Sequence, residues 1–306
     1  MFFFIIMWTF CLSLLAFGLT SYCIPQIKTP LFGLDLAKRQ TPDIPEGFGI
    51  VSGGFTIVTC ILSGVSNNLL FPITAALLLG FVDDVVEIPW RLKLILPALA
   101  SLPLEYDRTS IAIGSTLVDL GSLYPVFATL LCVYCSNAIN ILAGINGIEV
   151  GQSVIIALAL IVIEPATVPL LLPFIATSLA LLRYNWYPAR VFVGDSYTLF
   201  AGMLFAVVGL HYSLNYTLFW MLLPQTFNFS YSVPQLLKME PCPRHRLPQY
   251  RADTDKLYPS MFQGKMNKTL LNLILKGTGP LHEQTLALFL LLLQVVSCSL
   301  AYYLRL

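Results

Sequence analysis

Long apolar runs alternate with short polar segments along almost the whole chain. A transmembrane helix needs about twenty predominantly apolar residues, and shorter runs suffice where helices pack inside a bundle. On this basis the pattern predicts ten spans, at about residues 2–23, 49–64, 69–82, 92–104, 121–140, 150–163, 167–182, 197–212, 214–237 and 284–304. We therefore expect an all-α polytopic membrane protein with about ten transmembrane helices, forming one integral membrane domain over residues 1–306.

The basic residues lie almost entirely on one side of this predicted topology. The odd-numbered connections hold fifteen of the seventeen Lys and Arg residues, and only Arg108 and Arg305 fall on the opposite side. The positive-inside rule makes the odd connections cytosolic and places both termini on the other face. The opposite-face segment 105–120 has alternating residues that predict a small hairpin. The polar-rich connections, and with them the function, are expected on the cytosolic face, at about residues 25–48, 83–91, 141–149, 183–196 and 238–283.

Composition supports a membrane protein and excludes several other classes. The chain is 57% hydrophobic and 11% charged, whereas soluble domains are about one quarter charged. A net charge of +1 provides no bulk attraction for nucleic acid, so we expect no nucleic-acid partner. The seven cysteines show no disulfide spacing. Cys132 and Cys135 form a CxxC without a second ligand pair, which indicates helix packing rather than a metal or redox site.

Two adjacent carboxylates mark the first candidate site. Asp83 and Asp84 end the third apolar run, and Lys93 opens the fourth. Paired carboxylates at the C-terminal end of a helix are destabilised by the apolar surroundings and by the negative end of the helix dipole. We therefore expect a cationic group to compensate them. Other Lys and Arg residues at membrane ends need no such explanation, because the positive-inside rule and snorkelling account for them unless they converge with other polar groups.

Further polar groups follow other predicted spans on the cytosolic side. Asn140 and Asn146 lie at and beyond the end of the fifth span, and Asp195 follows a glycine at a predicted helix start. Amide and carboxylate oxygens suit Mg²⁺ or Mn²⁺, while the three His residues show no zinc spacing. Arg244 and Arg246 offer rigid forks for phosphate. A mixed acidic, amide and guanidinium site at a membrane surface predicts phosphoryl transfer onto a lipid phosphate.

Four motifs, taken in order, also carry a family likeness. The chain resembles the polyprenyl-phosphate N-acetylhexosamine-1-phosphate transferases, a glycosyltransferase family 4-like superfamily, nearly from end to end. The last motif is similar to that of the eukaryotic members that use dolichyl phosphate. The motifs are Gly80-Phe-Val-Asp-Asp-Val with Trp90-Arg-Leu-Lys93, Asn137-Ala-Ile-Asn-Ile-Leu-Ala-Gly-Ile-Asn-Gly-Ile-Glu-Val-Gly-Gln-Ser153, Asn185-Trp-Tyr-Pro-Ala-Arg-Val-Phe-Val-Gly-Asp195 and Pro241-Cys-Pro-Arg-His-Arg246.

The resemblance implies a defined reaction and place. GlcNAc-1-phosphate would pass from UDP-GlcNAc to dolichyl phosphate, giving dolichyl-diphosphate-GlcNAc and UMP in a tunicamycin-sensitive step. This is the first step of lipid-linked oligosaccharide synthesis for protein N-glycosylation. It implies a multi-pass protein of the endoplasmic reticulum membrane with a cytosolic active site and lumenal termini, Mg²⁺ or Mn²⁺ as cofactor, and a homodimer. Arg244, with Lys93, would balance phosphate charge.

The family pattern also implies roles for the metal and acceptor groups. Asn140 and Asp195 would hold Mg²⁺ on the pyrophosphate. Asp83 and Asp84 would orient Lys93 and the acceptor phosphate, and which of them, if either, acts as a base stays open. A phosphate acceptor above its second pKa needs no deprotonation, which weakens the case for a general base.

The remaining implied residues recognise the donor. Asn146 and Phe192 would hold uracil, and His245 with Arg246 would recognise N-acetylglucosamine. Glu46, in the first cytosolic connection, is a further substrate-binding candidate. Glu87 departs from the family pattern, in which an asparagine is expected.

Three alternatives remain on the sequence alone. Carboxylates near a membrane also mark ion paths in transporters and channels, but that class predicts polar residues at mid-span and internal repeats, and neither is clear here. A bacterial-type transferase using undecaprenyl phosphate or a muramyl donor would share the chemistry. A structural subunit with a dead site is disfavoured because the metal, phosphate and sugar groups are all present.

Overall fold

Helices make up most of the computed structural model, which describes residues 2–33, 35, 43–86, 88–102, 104, 109–113, 116–243 and 245–305. Its α-helices are α1 (Phe2–Cys23), α2 (Gly49–Leu62), α3 (Asn67–Val86), α4 (Trp90–Ser101), α5 (Tyr124–Ile141), α6 (Ile148–Ile163), α7 (Val168–Asn185), α8 (Gly194–His211), α9 (Asn215–Met221), α10 (Leu223–Leu236), α11 (Leu270–Thr278) and α12 (Glu283–Arg305). Four antiparallel two-stranded sheets pair β1 (Phe32–Gly33) with β2 (Ile44–Pro45), β3 (Ser110–Ile113) with β4 (Thr116–Asp119), β5 (Gln249–Arg251) with β6 (Lys256–Tyr258), and β7 (Met261–Phe262) with β8 (Lys265–Met266).

The structure confirms a helical membrane protein. Helices α2 and α6 are apolar but shorter than a full span. The small hairpin predicted within residues 105–120 is present as β3 and β4. The number of ten spans and their orientation stay predictions. Among the residues that the structure describes, five segments are long and apolar enough to cross a bilayer: Phe4–Gln26, Asn67–Val86, Gly121–Ile141, Pro165–Asn185 and Glu283–Arg305.

Helix α8 lies at the centre of the bundle. Every residue from Ser196 to Leu210 is buried, and the helix packs against α2, α3 and α5. A helix that is apolar on all sides is expected in such an interior position. The polar N-terminal end of α8, which carries Asp195, is therefore surrounded by the ends of other helices.

Glycines let neighbouring helices approach α8 closely, and two of them bear on the site and its packing. A Cβ on Gly80 of α3 would overlap the backbone of Asp195, and a Cβ on Gly202 of α8 would overlap the backbone of Cys135 in α5. Gly80 stands one helical turn before Asp84, and residues four apart share a helix face. The close contact between α3 and α8 therefore brings Asp84 to the N-terminus of α8.

The ninth predicted span, residues 214–237, is two helices rather than one. Helix α9 ends at Met221, α10 begins at Leu223, and Pro224 lies in the first turn of α10. Proline lacks a backbone N–H and suits the first turn of a helix but not its interior, which explains the break.

A second apolar core lies beside the membrane bundle, in the segment after α10. Leu257 of β6 and Leu271 and Leu275 of α11 are buried there together with Leu142 and Ile145, which follow α5. This core holds the region that follows the motif Pro241 to Arg246 against the turn that follows α5.

Candidate active site

The carboxylate of Asp84 caps the N-terminus of α8. Its Oδ1 accepts the backbone N–H of Asp195 at 2.5 Å, and its Oδ2 accepts that of Ser196 at 3.1 Å. Gly194 permits this contact, since its φ is 74° and a Cβ there would overlap the carboxylate of Asp84. The unpaired N–H groups and partial positive charge of a helix N-terminus stabilise a carboxylate. For Asp84, the compensation expected from a cationic side chain thus comes from a helix end.

Lys93 joins two carboxylates from different helices. Its Nζ lies 2.5 Å from Asp83 Oδ2 and 2.5 Å from Asp195 Oδ2. The side chain of Asp83 is fully buried, and its Oδ1 accepts the backbone N–H of Ile88 at 2.7 Å. Charge-assisted contacts of this length are strong. The cationic partner predicted for Asp83 is therefore Lys93.

The amide of Asn140 completes this cluster. Its Nδ2 donates to Asp195 Oδ1 at 2.6 Å, and the hydroxyl of Thr198 lies 3.4 Å from the same oxygen. Both oxygens of Asp195 are thus engaged, one by an amide and one by Lys93. The structure brings Asp83, Lys93, Asn140 and Asp195 together from four helices.

A cavity of about 220 Å³ opens beside the cluster. It brings in the predicted residues Glu46, Asn146 and Phe192. Five of the lining residues are carboxylates, and none that the structure describes there is Lys or Arg. An anionic ligand in this cavity would need a bound cation as well as Lys93. The lining comprises Asp35, Glu46, Asp84, Asn140, Gly144, Ile145, Asn146, Glu149, Asn185, Phe192, Val193, Gly194, Asp195, Thr198 and Leu247.

Two carboxylates, the half-buried Glu149 and the buried Glu283, shape the turn between α5 and α6. Glu149 Oε1 accepts the backbone N–H of Gly144 at 3.1 Å, and Glu283 Oε1 accepts that of Asn146 at 2.8 Å. Gly144 has a φ of 98°, a conformation that favours glycine. The place of its missing Cβ is taken by the side chain of Leu247. The turn therefore presents Asn146 to the cavity and anchors the segment after Arg246.

Two other predicted substrate-binding residues, His245 and Arg246, are described and lie apart from the cavity lining. Neither His245 nor Arg246 lines it, although Leu247 does. The carbonyl of Arg246 accepts the side-chain amide of Asn272 at 2.9 Å. The Nη1 of Arg246 is buried without a hydrogen-bond partner among the described residues, and burial lowers the pKa of the Arg246 guanidinium. Arg244 and Glu87 lie outside the described residues.

Among the cavity-lining residues that the sequence did not single out, three polar ones are relevant to the site. Asp35 and Thr198 are two of them. Asn185 is the third: its Nδ2 donates to the carbonyl of Val191 at 3.0 Å, while its Oδ1 is buried and has no partner in the part of the chain that the structure describes. Asn185 begins one of the four motifs, and that was the available signal for its importance.

The donors present at Asn140 and Asp195 fit Mg²⁺. Asp195 already attracts a cation, since the Lys93 ammonium contacts its Oδ2. Mg²⁺ is commonly bound through one or two carboxylates, with substrate phosphates and waters as its other ligands. Among the described residues there is no metal-binding group of three or more His, Cys, Asp or Glu, so an ion here would share its coordination with a substrate. Turning the Asn140 amide would present its Oδ1 to the ion.

Comparisons with known proteins agree with the four motifs. The model of the family "Glycosyl transferase family 4" matches residues 66–213. The chain is 38% identical to the UDP-N-acetylglucosamine--dolichyl-phosphate N-acetylglucosaminephosphotransferase of Dictyostelium discoideum, over 94% of this chain and 86% of that protein. It is 34% identical to the protein of the same name from Saccharomyces cerevisiae, over 84% of this chain and 73% of that one. The chain therefore belongs to the family of eukaryotic UDP-N-acetylglucosamine--dolichyl-phosphate N-acetylglucosaminephosphotransferases.

Proposed function

We propose that the protein transfers GlcNAc-1-phosphate from UDP-GlcNAc to dolichyl phosphate. An oxygen of the acceptor phosphate attacks the β-phosphorus of the donor. The bond from that phosphorus to the oxygen bridging to the α-phosphate breaks, and UMP leaves. The products are dolichyl-diphosphate-GlcNAc and UMP.

One structural observation supports this proposal independently of the names of the relatives. Lys93, Asp83, Asn140 and Asp195 meet at the N-terminal end of α8, beside a cavity whose described lining residues include five carboxylates. Two phosphate-bearing substrates repel one another, so their reaction depends on fixed cations and on positioning. A single lysine held between two carboxylates, with an amide and a carboxylate placed for a metal, supplies such an arrangement.

Each member of the cluster has a distinct task in the reaction. Asn140 and Asp195 would hold Mg²⁺, which when bound neutralises charge on the donor pyrophosphate. Lys93 turns its ammonium toward the reacting phosphates, and Asp83 fixes its position through their ion pair. Asp84 holds the N-terminus of α8, and so the backbone of Asp195, in place. The acceptor phosphate is already a dianion near neutral pH, so no general base is assigned.

Donor recognition falls to residues of the cavity and of the last motif. Phe192 provides an aromatic face and Asn146 an amide for uracil, and both line the cavity. Glu46 lines the same cavity and contributes a carboxylate acceptor. The guanidinium of Arg246, with its buried Nη1, serves the N-acetylglucosamine together with His245. Arg244 balances phosphate charge, as the family pattern implies.

The surroundings of the reaction follow from the same proposal. The ten predicted spans, with fifteen basic residues on one predicted face, support a site at the cytosolic surface of the endoplasmic reticulum membrane with both termini in the lumen. As the family resemblance implies, the chain works as a homodimer.

Transfer by the purified protein tests the proposal. Detergent-solubilised protein is incubated with Mg²⁺, dolichyl phosphate and UDP-GlcNAc, and the lipid product is identified by mass spectrometry. We expect dolichyl-diphosphate-GlcNAc and equimolar UMP, with inhibition by tunicamycin. Folded protein that transfers to no polyprenyl phosphate would overturn the assignment, and transfer to undecaprenyl phosphate alone would move it to the bacterial-type reaction.

A further inference from the structure

Side-chain amides hold the turn that carries Asn140. The last four carbonyls of a helix have no partner within it, and in a membrane each must be satisfied by another group. Gln152 of α6 donates through Nε2 to the carbonyl of Ile139 at 3.1 Å and to that of Leu142 at 3.0 Å. These carbonyls lie on either side of Asn140. Gln152 thus fixes the backbone from which Asn140 projects.

Asn228 of α10 secures the same turn from another side. Its Nδ2 donates to the carbonyl of Ile141 at 2.6 Å, and its Oδ1 accepts the backbone N–H of Leu270 at 2.7 Å. One side chain therefore links the end of α5 to α10 and to the first residue of α11. Gln152 and Asn228 together bind three carbonyls beside Asn140, those of Ile139, Ile141 and Leu142.

A relay of three buried glutamines runs from this turn to the break in the ninth predicted span. Gln225 Nε2 donates to Gln152 Oε1 at 2.6 Å and to Gln294 Oε1 at 2.7 Å. Gln294 Nε2 in turn donates to the carbonyl of Met221, the last residue of α9, at 2.8 Å. All three glutamines are at most 1% exposed. The relay joins α6, α10 and α12.

The direction of every bond in the relay is determined by its ends. A backbone carbonyl only accepts, so Gln152 and Gln294 must each turn their Nε2 toward the backbone and their Oε1 toward Gln225. Gln225 must then donate twice from one amide nitrogen. Its own Oε1 is buried without a partner among the described residues. Leaving a buried acceptor without a hydrogen bond is costly. Gln225 bears this cost in an arrangement that fixes the orientation of the Gln152 amide.

We propose that Gln225 is a positioning residue for Asn140. By donating to Gln152, Gln225 fixes the Gln152 amide in the orientation that donates to both carbonyls beside Asn140. The fixed backbone then keeps Asn140 facing Asp195. This inference rests on the proposed metal role of Asn140 and Asp195. The other end of the relay lies at the α9–α10 break, where Gln294 binds the carbonyl of Met221.

An isosteric pair of substitutions separates positioning from general stability. Gln225→Glu keeps the size of the side chain but sets a carboxylate against two oxygen acceptors. Gln235→Glu is the matched control: it lies on the same helix and is equally buried, and its bonds run to Met266 and Lys268. Both variants place a carboxylate in a buried amide site, and only the first lies in the relay.

Binding of Mn²⁺, followed by electron paramagnetic resonance in the presence of UDP, reports on the site without turnover. Loss of a group that orients a metal ligand typically weakens metal affinity or activity by about 10- to 100-fold, and we expect a loss of that size for Q225E, with a matching rise in the Mg²⁺ concentration needed for half-maximal transfer. Q235E should retain wild-type Mn²⁺ affinity. If Q225E does not yield folded protein, the apolar variant Gln225→Met is judged by the same criteria.

Three outcomes would overturn the inference. Wild-type Mn²⁺ affinity in Q225E or in its replacement Q225M would show that the relay does not position Asn140. Equal losses of affinity in Q225E and Q235E would show only a general effect of buried charge. Absence of Mn²⁺ binding in the wild-type protein would remove the metal role itself, and with it this inference. Failure of the metal site is thus distinguished from failure of the positioning role of Gln225.

Discussion

The contact between α3 and α8 makes Gly80 the most informative position outside the reacting groups. A Cβ at Gly80 would lie 2.6 Å from the Cα of Ser196 and would also overlap the backbone of Asp195. Because these neighbours are backbone atoms, they cannot rotate away as a side chain would. We predict that Gly80→Ala forces α3 away from α8 and withdraws Asp84 from the helix N-terminus that it caps.

The size of the effect follows from these distances. Ordinary Cβ contacts begin at 3.4 Å, so relief from 2.6 Å requires a movement of about 0.8 Å. The hydrogen bond from the Ser196 N–H to Asp84 is 3.1 Å long. A movement of that size would stretch it beyond hydrogen-bond range. Overpacking of this kind costs about 1–3 kcal/mol of stability. A misplacement near 1 Å costs about 100-fold in rate, and we expect kcat to fall by that order.

The assay is the initial rate of UMP release at saturating substrates, with folded protein measured by thermal unfolding in detergent. Gly54→Ala is the control, because Gly54 is also helical but has nothing within 4 Å of its Cβ position. Alanine there should leave the rate unchanged and raise stability slightly, by about 0.5–1 kcal/mol. A rate for Gly80→Ala within a few-fold of wild type, in folded protein, would refute the close-approach argument.

Three substitutions test the reacting groups directly. Asp195→Ala removes the carboxylate that Lys93 and Asn140 share, and turnover at ordinary Mg²⁺ concentrations should be abolished; retained activity in a Mg²⁺ titration would place the metal elsewhere. Lys93→Met should lower kcat by about 100- to 1,000-fold, the usual effect of losing one group that stabilises transition-state charge, and single-turnover rates that match wild type would exclude that role. Arg246→Met should raise the KM for UDP-GlcNAc by about tenfold or more, because a hydrogen bond to a charged group contributes about 1.5–3 kcal/mol; an unchanged KM would show that the buried Nη1 does not meet the donor.

Much of the helical framework could be predicted from the lengths of the apolar runs. The first run, residues 2–23, is α1 at the same bounds, and the alternating segment before the fifth span is the β3–β4 hairpin. The sequence also paired Asp83 with Lys93, which are in contact. It assigned Asp195 to a separate group with Asn140, so the contact between Lys93 and Asp195 was not expected.

Other features depend on which helices meet, and apolar patterns do not contain that information. The partner of Asp84 is the end of another helix, contributed 111 residues further along the chain. The role of Gly80 becomes visible only when the backbone of α8 lies against it. Gln152 and Gln225 look like isolated polar residues in apolar runs, and only the packing of α6 against α10 and α12 joins them into a relay.

The central claim is that the β-phosphorus of the nucleotide sugar moves to the lipid, and labelling that atom tests it most directly. The protein is supplied with UDP-GlcNAc carrying ³²P only at the β-position, together with dolichyl phosphate and Mg²⁺, and the products are partitioned between organic solvent and water. We predict that the label enters the lipid fraction while unlabelled UMP appears in the water. Label recovered in UDP, with sugar alone on the lipid, would contradict the account.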